Sequence, residues 1–189
     1  MSLRPFILFK FNSVSFWQAG NPTFEVHHNL ILMIMESTNE KTLFEVSEIQ
    51  LSYKSKVKAS LRPKISSSRD AENILRQYWS EDLLELQEEF KIMLLNRYNK
   101  VIGIFTVSQG GIAGTVADPK LIFGCALKAA ASGIILAHNH PSGALQPSQA
   151  DMDLTKKLRE GGRLLDIQVL DHIIITSEAY YSFADEGLL

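Results

Sequence analysis

Residues 133–137, GIILA, form a continuous apolar run flanked on both sides by stretches whose apolar positions recur at helical spacing. A run that short, without polar alternation, predicts a strand covered on both faces. The rest of the chain must then supply helices to two sides of one sheet. The preceding DPKLIFGCALKAAAS (118–132) predicts a helix, with Asp118 as N-cap and Pro119 at the first helical position. The following SQADMDLTKKLREGG (148–162) predicts another, with Ser148 as N-cap, basic residues toward its end and a glycine pair to stop it. DIQVLDHIIIT (166–176) is a further apolar strand region.

Upstream, EFKIMLLNRYNKVIGIFTVSQGG (89–111) predicts two strands around a turn at Asn96 to Lys100, closing in Gly110-Gly111. Before it, RDAENILRQYW places Ala71, Ile74, Leu75 and Tyr78 on one helical stripe, with Ser68 as the expected N-cap. The order strand, strand, helix, strand, helix, strand indicates an α/β fold, a mixed β-sheet sandwiched by helices in a single domain.

A chain of 189 residues is long enough for one such core and too short for two comfortable ones. The formal net charge of -2 does not advertise a nucleic-acid binder. Cys125, the single cysteine, excludes an intramolecular disulfide framework and a cysteine-based zinc cluster, which fits a reducing cytoplasm. Mid-helix among apolar neighbours, it reads as core rather than nucleophile. No apolar run approaches the roughly 18 to 20 residues that span a bilayer, so no membrane role is expected.

The first 34 residues are aromatic-rich and without sustained period, and the character of the chain changes at Met35. We expect Met35 to be the biological start and 1–34 an extension outside the fold. Residues 35–66 then hold an N-terminal strand, with Val46, Ile49, Leu51 and Tyr53 as its apolar positions, and a basic, Ser-rich linker. The compact domain is expected over 67–189.

The strand at 133–137 delivers the chain to AHNHPSGALQPSQAD (137–151). On extended backbone His138 and His140 point to one side and Asn139 to the other, so two imidazoles can share one ion. Asp151 falls at the third helical position after Ser148, where its carboxylate can turn back toward the loop. Two imidazole nitrogens and one hard oxygen leave the fourth tetrahedral position of Zn²⁺ open for water, the arrangement of a catalytic zinc. A base that relays the water's proton is then useful. In QEEFKIM (87–93) the alternation puts Glu88 on the side of Phe90, Ile92 and Leu94, and Glu89 beside Lys91 toward solvent. A carboxylate on the apolar side asks for a functional explanation, which makes Glu88 the candidate base. Ser148 could donate to the water or to a developing oxyanion. A competing reading stands beside this one: Ser148 and Asp151 approximate a capping box, and the histidines merely end a strand. Asp171 and His172 read as a satisfied structural pair or as support for the ligands.

HNHPSGALQPSQAD resembles the JAMM motif of JAB/MPN-type metallopeptidases. The closer resemblance is to the RadC family, in which HNHPSG (138–143), PS (147–148), Asp151 and LDH (170–172) recur together. It covers roughly residues 67–189, and it implies a JAB/MPN-type, cytidine-deaminase-like fold. By the same resemblance His138, His140 and Asp151 are zinc ligands, Glu88 is the general base and Ser148 assists. The family's N-terminal helical part has no counterpart in residues 1–66, and its usual Pro-Arg after the hairpin is Pro119-Lys120 here. The expected function is a cytoplasmic zinc hydrolase acting on an amide or isopeptide bond of a peptide or protein. The alternatives are a DNA-repair or mobile-element accessory protein with a structural or vestigial metal site, and a metal-dependent nuclease.

Overall fold

The structure is a computed structural model that describes residues 47–50, 52–110 and 116–189. The chain divides into Met1–Ile49 and Gln50–Leu189, and every helix and strand among the described residues lies in the second unit. After a single 3₁₀ turn at Ala59–Leu61 come α1 (Ser68–Arg76), α2 (Glu81–Leu84), β1 (Glu89–Leu95), β2 (Val101–Gln109), α3 (Pro119–Lys128), β3 (Gly133–Asn139), α4 (Gln149–Leu164), β4 (Gln168–Ile175) and β5 (Tyr180–Ser182). The five strands make one mixed sheet in the order β2-β1-β3-β4-β5. β3 and β4 run parallel, joined through α4, and the other neighbours are antiparallel.

β3 is buried along its whole length, as its unbroken apolar run predicts. Ile134 and Leu136 pack with Phe90, Ile92 and Leu94 of β1, Ile122 and Ala126 of α3 and Leu158 of α4. Ile135 and Ala137 face the other way, onto Met93 and Leu95 and onto Ala71, Leu75, Trp79 and Leu84 of the α1–α2 region. Burying a side chain such as Ile134 or Leu158 contributes about 1.5–3 kcal/mol, so both helical layers hold the central strand in place. The mixed α/β sandwich is therefore the fold of this unit. Cys125, half-buried against the first of these layers, has its thiol pKa pushed up by desolvation.

Local details depart from expectation in five places. The N-cap of α1 is Ser67, not Ser68: Asp70, three residues on, accepts from the Ser66 and Ser67 amides while its own amide donates to the Ser67 hydroxyl. Tyr78 lies beyond that helix and is exposed, and Trp79 is buried instead. α3 stops at Lys128 because Ala130 takes a left-handed φ of 50°, and the Ala130 and Ala131 amides donate back to Leu127 and Ala126 in a Schellman-type closure. The Gly161-Gly162 pair lies inside α4 rather than ending it. Gly162 permits a close approach, since a Cβ there would sit 2.3 Å from the Ile167 carbonyl oxygen. Finally, the strand expected around Val46 to Tyr53 is absent among the described residues, and Ile49 is exposed. Residues 1–46, the expected start at Met35 and Gly111 lie outside the described residues.

Candidate metal centre

The antiparallel register of β1 and β3 pairs Phe90 with His138, and the parallel register of β3 and β4 pairs Leu136 with His172. Both histidines thus occupy the sheet face covered by α3 and α4. The HPSG turn then reverses the chain: the Gly143 amide donates to the His140 carbonyl at 3.0 Å, and Gly143 adopts a φ of 77° that suits glycine. Ser148 caps α4 and fixes Asp151 in its first turn. These residues lie at the carboxyl end of the parallel β3–β4 pair, where α/β sheets commonly take ligands.

His138 Nε2 lies 2.9 Å from His140 Nε2 and 3.3 Å from Asp151 Oδ1. The three residues offer ligand atoms that all fall within 4.8 Å of one another. The capping box leaves a ligand role open to Asp151, because the carboxylate divides its oxygens. Asp151 Oδ2 accepts from the Ser148 amide at 2.7 Å and its hydroxyl at 2.6 Å, completing a capping box, while Oδ1 faces His138.

Hydrogen-bond partners fix the tautomers. His140 Nδ1 lies 2.6 Å from the Ala144 carbonyl oxygen, which only accepts, so Nδ1 carries a proton and, in the neutral ring, Nε2 a lone pair. The Thr155 hydroxyl donates to the Asp151 carbonyl at 2.6 Å, so its contact with His172 Nδ1, also 2.6 Å, must be donated by the ring. His172 Nε2 is then an acceptor, and His138 Nδ1, 2.8 Å away, is its donor. His138 Nε2 is left with a lone pair aimed at that of His140. Two lone pairs and a carboxylate oxygen turned on one point repel one another without a cation between them, and a divalent ion fits this donor set. Bonds of about 2.0–2.2 Å arranged tetrahedrally around zinc set ligand atoms about 3.3–3.6 Å apart; the 3.3 Å from His138 Nε2 to Asp151 Oδ1 meets that spacing, and the 2.9 Å between the two imidazole nitrogens falls short of it.

Burial reinforces the neutral state of His138 and His172. His138 is 1% exposed and stacks on Phe90, with ring centroids 6.0 Å apart. Desolvation, only partly opposed by Asp151 and assisted by His140, lowers its pKa to about 4. His172, fully buried against Phe183, is held well below the ordinary imidazole value, chiefly by desolvation and then by His138 and His140. His172 thus holds the His138 ring in place. Asp171 turns to the other face of β4, where it accepts from the Ser182 hydroxyl at 2.7 Å and the Ala184 amide at 3.0 Å. The two are not a side-chain pair.

Glu88 sits half-buried immediately before β1. Continuing the Phe90–His138 register by two residues aligns Glu88 with His140. Glu89 does not face solvent. It is 3% exposed and pairs with Lys91 at 2.8 Å, while Gln109 Nε2 donates to it at 2.6 Å and the Lys91 ammonium lies 4.9 Å from the Trp79 ring centroid. The alternation placed Glu89 beside Lys91, where it lies, but α1 and α2 cover the face that a single-sided strand would leave wet. What the sequence reading missed is the Thr155 link, whose only signal was its position four residues after Asp151.

A cavity of about 960 Å³ opens at the other end of β3, lined among others by Arg97, Gly133, Arg159 and Arg163, so the candidate ligands lie outside it. Among the described residues no helix is long and apolar enough to cross a membrane.

The family model of the RadC-like JAB domain matches residues 65–188. A UPF0758 protein of Flavobacterium johnsoniae is 50% identical over 125 residues, 66% of this chain and 53% of that protein. A UPF0758 protein of Porphyromonas gingivalis is 48% identical over 104 residues, 54% of this chain and 46% of the relative. One from Rubrobacter xylanophilus is 39% identical over 128 residues, 68% and 55% of the two chains. The chain thus spans about half the length of the curated relatives it matches.

Proposed function

The chain belongs to the RadC-like JAB domain family, and from that premise we propose that it is a zinc-dependent hydrolase cleaving amide or isopeptide bonds in peptide or protein substrates. The observation that carries the reading is the pair of lone pairs on His138 and His140 Nε2, turned with Asp151 Oδ1 on one point by hydrogen bonds that leave neither ring nitrogen a proton. His138, His140 and Asp151 would hold the zinc. Bound zinc supplies Lewis acidity, polarising a carbonyl and lowering the pKa of water to about 7.

The remaining steps belong to this chain's own side chains. Glu88 takes the proton from the attacking water and hands it to the leaving amine, which splits one difficult transfer into two short ones. His172 and Thr155 keep His138 in the tautomer that presents Nε2. Ser148 orients Asp151 through the capping box, and its hydroxyl reaches a developing oxyanion by exchanging its bond to Asp151 Oδ2. Substrate enters from the side of His140 and Asp151, whose side chains are each 15% exposed.

The test is hydrolysis of peptide and isopeptide-linked substrates by the zinc-loaded protein beside Glu88→Gln. The variant should keep its zinc and lose on the order of 10²-fold or more in rate. An unchanged rate in a zinc-loaded Glu88→Gln protein would refute the assignment.

A further inference from the structure

Asn139, between the two histidine ligands, is fully buried on the opposite face of β3, and all four hydrogen-bonding positions of its amide are filled. Its Oδ1 accepts from the Glu89 amide at 2.8 Å and from Trp79 Nε1 at 3.1 Å. Its Nδ2 donates to the Gln87 carbonyl at 2.8 Å and the Leu84 carbonyl at 2.7 Å. Two of these bonds bracket Glu88. The Gln87 carbonyl belongs to the peptide plane before the Glu88 Cα, and the Glu89 amide to the plane after it. That second plane is held again where the Gly110 amide donates to the Glu88 carbonyl at 2.8 Å. Because peptide planes are rigid, only φ and ψ of Glu88 separate the two. Clamping both planes fixes those torsions, and with them the direction of the Cα–Cβ bond.

We propose that Asn139 is a positioning residue for Glu88, an inference that rests on the reading of Glu88 as the base. One side chain ties the base's backbone to the strand that carries both imidazole ligands, so base and ligands share a single frame of reference. A preference for asparagine over other small polar residues follows. The job needs two donors and two lone pairs on one short planar group in a dry site, and aspartate of the same shape supplies no donor at all. The cost of leaving the Leu84 and Gln87 carbonyls unpaired falls on the segment that carries the base.

The test follows the Glu88 carboxyl carbon by ¹³C NMR in the full chain, its signal identified by its disappearance in Glu88→Gln, as zinc alone is added. In the wild type the signal shifts as zinc binds, together with the ring signals of His138 and His140. In Asn139→Ala and in the isosteric Asn139→Asp, zinc content and the histidine response are retained, while the Glu88 shift falls by at least about half, as expected when a supporting hydrogen bond is lost. The aspartate variant keeps the side-chain outline should the alanine variant fail to fold. A full Glu88 response in a zinc-loaded Asn139 variant overturns the inference, as does loss of zinc itself, which would make Asn139 a merely structural residue. A wild-type Glu88 signal indifferent to zinc would instead refute Glu88 as the base, and the positioning role would fall with it.

Discussion

Acid should unfold the metal-free protein through His138. The folded pKa of about 4 lies below the ordinary imidazole value of 6.5, because charging a ring that is 1% exposed forfeits its hydration. The unfolded chain therefore binds a proton that the folded chain refuses. The stability at stake is fully present above pH 6.5 and is lost as pH falls toward 4. At about 1.4 kcal/mol per pH unit, the whole interval is worth about 3 kcal/mol. By pH 5 about 2 kcal/mol of it is already gone, a large part of the 5–15 kcal/mol typical of a domain. His172, also held low by burial, acts in the same direction. Urea unfolding of EDTA-treated protein at pH 7.5 and pH 5, wild type beside His138→Asn, separates this loss from the ordinary titration of carboxylates. The wild type should lose about 2 kcal/mol more than the variant between the two pH values. Equal losses would refute the claim that desolvation of His138 governs the acid limb.

Other expectations follow from the same contacts. His172→Phe should keep the fold and weaken zinc binding about 10–100-fold in a chelator competition, since His138 loses the acceptor that fixes its tautomer; an unchanged affinity would break the tautomer argument. Ser148→Ala should cost about 1 kcal/mol in urea unfolding through the lost cap, and no loss would show that the box contributes nothing. Gly162→Ala should lower stability by about 1–3 kcal/mol, because its Cβ would meet the Ile167 carbonyl oxygen; an unaltered melting temperature would contradict that approach. Ala130→Gly should raise stability by about 0.5–1 kcal/mol by relieving the left-handed φ of 50°, and a lower melting temperature would count against it.

Where the sequence carried a local chemical signal, the structure follows it. Asp118 and Pro119 start α3, Ser148 starts α4, and the apolar run at 133–137 lies inside β3, because caps and a short unbroken apolar run are decided within a few residues. The cluster that could hold a metal was legible for the same reason, with His138 and His140 one residue apart at the end of β3 and Asp151 in the first turn of a capped helix. Ser67 was readable too, since Asp70 completes a box with it and not with Ser68. Glu89 was not readable: its burial depends on α1 and α2 covering β1 from residues 68–84, a tertiary contact that strand alternation cannot report. The same limit hid β5 and the path from Thr155 through His172 to His138, which joins residues of α4, β4 and β3.

The central claim is that His138, His140 and Asp151 form one metal centre, and metal analysis tests it most directly. Purified wild type reconstituted with zinc should hold about one ion per chain, and His138→Ala and Asp151→Ala should each lose it while their far-ultraviolet circular dichroism stays that of the wild type. A wild type that takes up no zinc, or variants that retain it, would contradict the account and leave Ser148 and Asp151 as a helix cap alone.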